Sequence, residues 1–300
     1  MKSKKGKKYL LCLITWASTF AISIIIFVAP ASGADLAEIK ERGVLRHLGV
    51  PYANFVTGSG DGFDVEFVTF FAQHLGVRYE YVETSWKDVI GDLSGKKVNP
   101  RGDGIEILGD VPVKGDIIAN GLTILPWRKK IVDYSNPTFP TQVWLIARAD
   151  SPLSPIVPTG NVQKDIVLVK ARLKDRTVLC KAKTCLDPSL YGLKETGARV
   201  RLFDGNLNEL APAVINRDAE TSILDVPDAL IALGKWPGKI KVIGPVSDKQ
   251  EMGCGFRKAS PLLREAFNRF FEKCKKDGIY VRLVNKYYPA VFRYYPEFFK

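Results

Sequence analysis

The sequence predicts an α/β protein of two units, each a mainly parallel sheet flanked by helices. Three observations carry this reading. Helix-patterned and strand-patterned segments alternate from Asp35 onward, the alternation restarts after a proline-rich connector near Ser151, and the chain then returns through "PVSDKQEMGCGFRK" into a long amphipathic helix.

The elements follow in order. "DLAEIKERG" has an acidic first turn and a closing glycine, as short helices do. "VLRHLGV" is a strand that runs into the loop "PYANFVTGSGDG". In "FDVEFVTFFAQHLG", Val65, Val68, Phe71, Ala72 and Leu75 share one helical face, and Gly76 ends it. "VRYEYVETSW" alternates as a strand and "WKDVIGDLSG" reads as a short helix. "DIIANGLTIL" reads as an apolar strand, "PWRKKI" as a helical turn opened by proline, and "FPTQVWLIARA" as a long strand. The second round runs strand "RTVLC", helix "LDPSLYGLKETG", strand "RVRLFD", helix "NLNELAPAVINR", strand "ETSILDV", helix "PDALIALGKWPG" and strand "IKVIG". The helix "SPLLREAFNRFFEKCKKDG" and a final helical segment complete the chain.

Composition supports an ordinary globular protein of one or two domains: 300 residues, 46% hydrophobic and 25% charged, punctuated by 25 Gly and 18 Pro. The first 34 residues carry five lysines and no acid, then an apolar run from Tyr9 to Val28 and small residues up to Ala34, the pattern of a secretory signal cut after Ala34. The apolar run exceeds the usual signal core and approaches the ~20 residues that span a bilayer, so an uncleaved anchor is the alternative. Either way the remainder is exported. Removing five lysines from the formal +12 leaves +7, an excess spread along the chain. No basic run with interleaved aromatics follows Lys8, so the charge reads as solubility and nucleic acid is not an expected partner.

Four cysteines follow the leader: Cys180, Cys185, Cys254 and Cys274. In an oxidising compartment two disulfides are expected, Cys180–Cys185 and Cys254–Cys274 being the sequence-near pairs, although four cysteines allow three pairings. The spacings do not fit zinc, and His47 and His74 lie far from the cysteines in sequence, so neither a metal nor a Cys–His nucleophile is expected. No cofactor is expected either.

The stretches "IKERGVLRHLGV", "GFDVEFVTFFAQHLG", "VETSWKDVIGDL", "DIIANGLTILPWRKKIVDYSNPTF", "ARLKDRTVL", "ETSILDVPDAL" and "GCGFRKASPLLREAFNRFFEKCKKDGIYVRLVNKYY" resemble, in order and over nearly the whole exported chain, the bacterial extracellular solute-binding proteins of the polar amino acid type. The resemblance implies the two-lobed periplasmic binding protein fold of type II, with two sheets joined by two crossing strands. It sets lobe 1 at 35–141 and 248–300 and lobe 2 at 142–247. It also implies a periplasmic monomer that binds an amino acid or related carboxylate in the interlobe cleft and hands it to the membrane permease of an ABC importer.

The resemblance places the family's carboxylate-binding arginine on Arg128, whose planar fork of donors suits a carboxylate better than lysine does. The residue-level alternative is a solvated surface arginine. Asn120, Gly121 and Thr123 match neighbouring contact positions. Asp225, which also reads as a helix N-cap, matches the aspartate that takes the ligand's amino group. Tyr52 and Trp86 match positions around the ligand side chain, or are ordinary core aromatics. The family's second-lobe Gly-Thr/Ser-Thr turn is here "CKAKTCLDP", in which Ala182 replaces the glycine and Thr184 keeps the hydroxyl. A Cys180–Cys185 bridge is expected to fix this loop, with Lys181 or Lys183 adding charge at the cleft and favouring a more acidic ligand. A second departure, the insertion at 98–115, is expected as a hairpin on the back of lobe 1, because helix-to-strand connections enter a parallel sheet opposite the cleft. Two other readings stay open. One is an accessory or sensor protein serving a periplasmic partner, and the other is a dehydratase on the same scaffold, with Glu83 or Glu220 as its acid.

Overall fold

The computed structural model describes residues 35–299, so the expectations about the leader lie outside the described residues. Asp35 opens α1 (Leu36–Arg42) with a capping box: its carboxylate accepts the Leu36 N–H at 2.8 Å, and its own N–H donates to Glu38 at 2.9 Å. The chain continues through β1 (Val44–Gly49), α2 (Phe63–Leu75), β2 (Arg78–Glu83), α3 (Val89–Ser94), β3 (Lys96–Arg101), β4 (Gly104–Asp110), β5 (Ile117–Ile118), α4 (Pro126–Lys129), β6 (Val132–Tyr134) and β7 (Phe139–Thr141). Next come β8 (Val143–Arg148), α5 (Val162–Lys170), β9 (Thr177–Cys180), β10 (Arg199–Leu202), α6 (Leu210–Ile215), β11 (Thr221–Asp225), α7 (Val226–Lys235) and β12 (Ile240–Pro245). The return is β13 (Gln250–Met252), β14 (Gly255–Arg257), α8 (Pro261–Lys276), α9 (Ile279–Tyr287) and α10 (Val291–Tyr294).

Two five-stranded sheets result, ordered β2-β1-β5-β14-β6 and β10-β9-β11-β8-β12. In the first, β14 alone runs against the other four strands; in the second, β8 does. Mainly parallel sheets need their connecting helices on the faces, which is why the sequence alternates as it does. The chain crosses between the sheets along β7 and β13, which pair antiparallel with Phe139 opposite Met252. Beside the crossings, Gln142 donates to the Ser247 carbonyl at 2.9 Å, and the Val143 N–H donates to the Ser247 hydroxyl at 2.8 Å.

The first sheet is covered by an aromatic layer in which Phe63, Phe67 and Phe71 on one face of α2 meet Phe267, Phe270, Phe271 and Tyr280. At its base Asp116, fully buried, faces Arg42 at 2.5 Å, Arg46 at 3.0 Å and Arg257 of β14 at 3.6 Å. The final aromatic segment packs inward: Tyr288 lies against Phe55 and Phe139, and Tyr294 against Trp144 of the second sheet.

Several local expectations differ from the structure. Only Ile117 and Ile118 of "DIIANGLTIL" pair as strand, because Gly121 turns the chain at φ 66° and gives its N–H to Asp64 at 2.7 Å instead of a neighbouring strand. The segment read as helix at 188–196 forms two 3-10 turns, each closed by a left-handed glycine, Gly192 and Gly197. Helix α5, capped by the Asn161 side chain, was not foreseen behind the proline-rich connector.

The insertion forms the expected hairpin, β3–β4, in another place. Val98, Pro100 and Leu108 share a cavity with Trp86 and Trp127 of the first unit and with Lys183 of the loop after β9. Length explains it: six strand residues reach ~20 Å, whereas the six-residue α3 beside them spans ~9 Å, so a hairpin that starts at the base overruns the helix.

The expected disulfides are also corrected, since Cys180, Cys185, Cys254 and Cys274 are all free and buried. The Cys185 thiol turns to Asp225, 3.7 Å from Oδ2, while Cys180 turns to the Val178 carbonyl. The loop between them closes without a covalent bond, through the Lys181 N–H to the Leu186 carbonyl at 3.1 Å and the Thr184 hydroxyl to the Lys181 carbonyl at 2.8 Å. Burial pushes the Cys180 and Cys185 thiols up to about 12, so both are protonated at neutral pH.

Candidate functional site

The site is built from the ends of both sheets. In the first, β5 stops at Ile118 and the chain continues through Asn120, Gly121 and Thr123 to α4, whose first turn carries Arg128. Pro126 opens that turn with its φ already set and no N–H to satisfy. In the second, β11 ends at Asp225, which caps α7 by accepting the Asp228 N–H at 3.3 Å. The capping role and the site role therefore fall on one side chain.

Arg128 is 2% exposed, against the solvated reading that residue type alone allows. One terminal nitrogen donates to the Thr123 carbonyl at 2.9 Å, and the guanidinium carbon lies 5.2 Å from the Trp127 ring and 6.0 Å from the Trp86 ring. No carboxylate pairs with it among the described residues, and its Nε has no hydrogen-bond partner there. Asn120 and Thr123, at 0% and 1% exposure, likewise leave the whole Asn120 amide and the Thr123 hydroxyl without partners. Each such buried group costs ~1–3 kcal/mol unless something else supplies the bond.

Two carboxyls are buried as well. Burial raises Asp225 to about 6, while the Tyr52 hydroxyl, the Asp228 N–H and the Cys185 thiol pull it back. Asp228 is raised well above the usual range by burial and by the charge of Asp225, and its Oδ2 has no partner among the described residues. Cys185 feels charges of both signs: its thiol is pushed up by burial and by Asp225 and drawn down by Arg128 and Thr123. Tyr52, fully buried, sets its ring edge-on to Trp86 at 5.5 Å.

The structure thus brings Arg128, Asn120, Thr123, Asp225, Tyr52 and Trp86 together. Gly121 contributes as backbone, held by Asp64, a carboxyl that burial raises to about 7. Thr184 lies in the same loop as Cys185, but its hydroxyl is engaged within the loop, donating to Lys181 and accepting the Leu186 N–H. Lys181 turns away to the Phe203 and Asp204 carbonyls, and Lys183 lines the hairpin cavity, of which Arg128 is not a lining residue. Glu83 is exposed, and Glu220 pairs with Arg176 and Arg199 at the opposite end of β11 from Asp225. Sequence reasoning missed Cys185 as a neighbour of Asp225, and it missed Asp228. The signal for Asp228 was its position three residues beyond Asp225 in a helical first turn.

The model of the bacterial extracellular solute-binding proteins, family 3, matches residues 113–290. The L-cystine-binding protein TcyJ of Escherichia coli is 26% identical over 278 residues, covering 90% of this chain and 93% of that protein. Membrane-bound lytic murein transglycosylase F of Desulfosudis oleivorans is 28% identical over 233 residues; the match covers 77% of this chain but 44% of the transglycosylase. Among solved structures, a mutant of the arginine-binding protein ArgBP from T. maritima aligns with a TM-score of 0.67 at 26% identity, over 85% of this chain and 99% of that one. The ancestral amino acid-binding protein AncCDT-1, described as a precursor of cyclohexadienyl dehydratase, aligns with a TM-score of 0.65 at 27% identity, over 84% and 99%.

Proposed function

Because the chain belongs to the bacterial extracellular solute-binding proteins of family 3, we propose that it binds an amino acid between Arg128 and Asp225 and delivers it to an ABC importer in the periplasm. One observation carries the reading: the Nε of a buried guanidinium, an amide and a hydroxyl lack protein partners among the described residues, and the Cys185 thiol that touches the buried Asp225 also feels the charge of Arg128. A zwitterion answers both sides, its carboxylate taking the free donors of Arg128 and its ammonium group neutralising Asp225. Two carboxyls against one guanidinium favour an amino acid over a dicarboxylate. In this reading residues 35–141 with 248–300 and residues 142–247 are the two lobes, β7 and β13 are the hinge, and the protein acts as a monomer that closes over its ligand.

The role is binding rather than catalysis. A thiol held near 12 supplies no thiolate nucleophile at neutral pH, and the glutamates considered as acids stand away from the site. Relatives named for binding arginine and cystine support the class of ligand and leave its side chain open. The test is a thermal-shift screen of the chain from Asp35 onward against amino acids, dicarboxylates and amines. A ligand that binds only the native state raises the melting temperature, so a rise with an amino acid is expected. A rise with dicarboxylates alone would refute the reading.

A further inference from the structure

The hairpin cavity is lined by the two indoles that flank Arg128, and Arg128 itself is not among its lining residues. The cavity measures about 270 Å³, and its apolar lining includes Trp86, Trp127 and Leu108. Leu108 is 52% exposed, an apolar side chain left over an open cavity rather than folded into the core. Trp86 touches Tyr52 and Arg128 and also lines the cavity, and its indole N–H is buried with no partner among the described residues.

The charges around this lining are unbalanced. Of the lysines there, Lys114 pairs with Asp92 at 3.0 Å, while Lys87, Lys97 and Lys183 have no carboxylate partner among the described residues. Asp88 is engaged by the Ser85 hydroxyl at 2.6 Å. Lys183 is also held in place: its backbone sits at φ 63°, a left-handed conformation that non-glycine residues seldom adopt, and its N–H donates to Asp187 at 2.8 Å. Lys97 comes from the hairpin and Lys183 from the loop after β9, so the two cations reach the cavity from different sheets.

We propose that this cavity is a second binding site, distinct from the one around Arg128, for a small anion with a flat apolar body, of the aromatic carboxylate class. The indoles pack against the ring, the lysines take the carboxylate, and the anion joins the hairpin to the loop after β9. The volume, just under the usual range for ligand pockets, suits a molecule of one or two fused rings.

Calorimetry with 1-naphthoate and with its neutral analogue 1-naphthamide tests this. The chain from Asp35 onward should bind 1-naphthoate at one site, with the amide at least tenfold weaker. Lys97→Glu and Lys183→Glu should each weaken 1-naphthoate at least tenfold, and both variants should keep the amino acid thermal shift, because Arg128 is not a lining residue of their cavity. Absence of 1-naphthoate binding, equal binding of the amide, or full affinity in both variants would overturn the proposal. The two readings fail separately: an amino acid screen with no response, beside lysine-dependent 1-naphthoate binding, would refute the amino acid site and leave this one.

Discussion

Replacing Arg128 with alanine separates binding from folding. The guanidinium is buried with one protein acceptor, the Thr123 carbonyl, and no carboxylate among the described residues. Its loss leaves that carbonyl satisfied, since Tyr134 donates to it at 3.1 Å. It also relieves the desolvation of an unpaired cation, which offsets the lost packing of the side-chain stem between two indoles. Stability should therefore change by no more than ~1 kcal/mol. Binding should change far more, because a ligand carboxylate would stay desolvated without its partner, at a cost of ~2–5 kcal/mol, or roughly 30- to 5,000-fold in Kd. Arg128→Lys should recover only part, as a point charge cannot reproduce the fork. The assay is calorimetry with the amino acid found by the screen, paired with urea denaturation of each variant. Undiminished affinity in a folded Arg128→Ala protein would refute the reasoning and leave the arginine as a packing residue.

Three further outcomes follow from the same geometry. The chain from Asp35 onward should release four thiols to a thiol reagent when unfolded and react slowly when native, since all four are free and buried; release of none would restore the disulfides. Stability should fall as pH rises. Folded Asp225 (about 6) and Asp64 (about 7) hold their protons more tightly than the unfolded chain, so stability present near pH 4 is lost through pH 6–7, at up to ~1.4 kcal/mol per unit for each. His47, lowered to about 4 by burial, opposes this with one proton against two, so the urea midpoint should be higher at pH 5 than at pH 7.5, and the reverse order would reject the assignment. Gly121→Ala should cost ~2–4 kcal/mol in urea denaturation, because the new Cβ at φ 66° would lie 2.5 Å from the Phe55 ring; a cost below ~1 kcal/mol would show that the ring yields.

The fold was legible in the sequence wherever a local pattern and a local cause coincide. Gly43 and Gly76 end the helices they were expected to end, whereas the passage from one unit to the other falls inside the segment read as one long strand, between β7 and β8, and not at the connector near Ser151. Arg128 was legible only through resemblance, because nothing local distinguishes an arginine buried between two indoles from one in water. Cys185 was misread because the compartment argued for pairing, whereas the direction of its thiol is set by a turn of main-chain hydrogen bonds and by a carboxyl forty residues away. The hairpin was misplaced because a rule about where connections enter a sheet says nothing about how far a long one travels. Helix α5 and the 3-10 turns at 188–196 lie where proline and glycine break the periodic signal.

The position of β14 has a consequence for the order in which the molecule assembles. The second sheet is drawn from one continuous stretch, Val143 to Pro245, and its strands can pair as soon as that stretch is available. The first sheet has to wait. Its fourth strand, β14, lies between β5 and β6, so until Arg257 emerges β6 has no neighbour and Asp116 lacks one of its three guanidiniums. More than a hundred residues separate β6 from the strand it needs, a loop whose closure is slow relative to local pairing. On a chain that emerges from its N-terminus, the half begun first is thus completed last, and the arginine pair Arg42 and Arg46 holds the Asp116 charge through the interval.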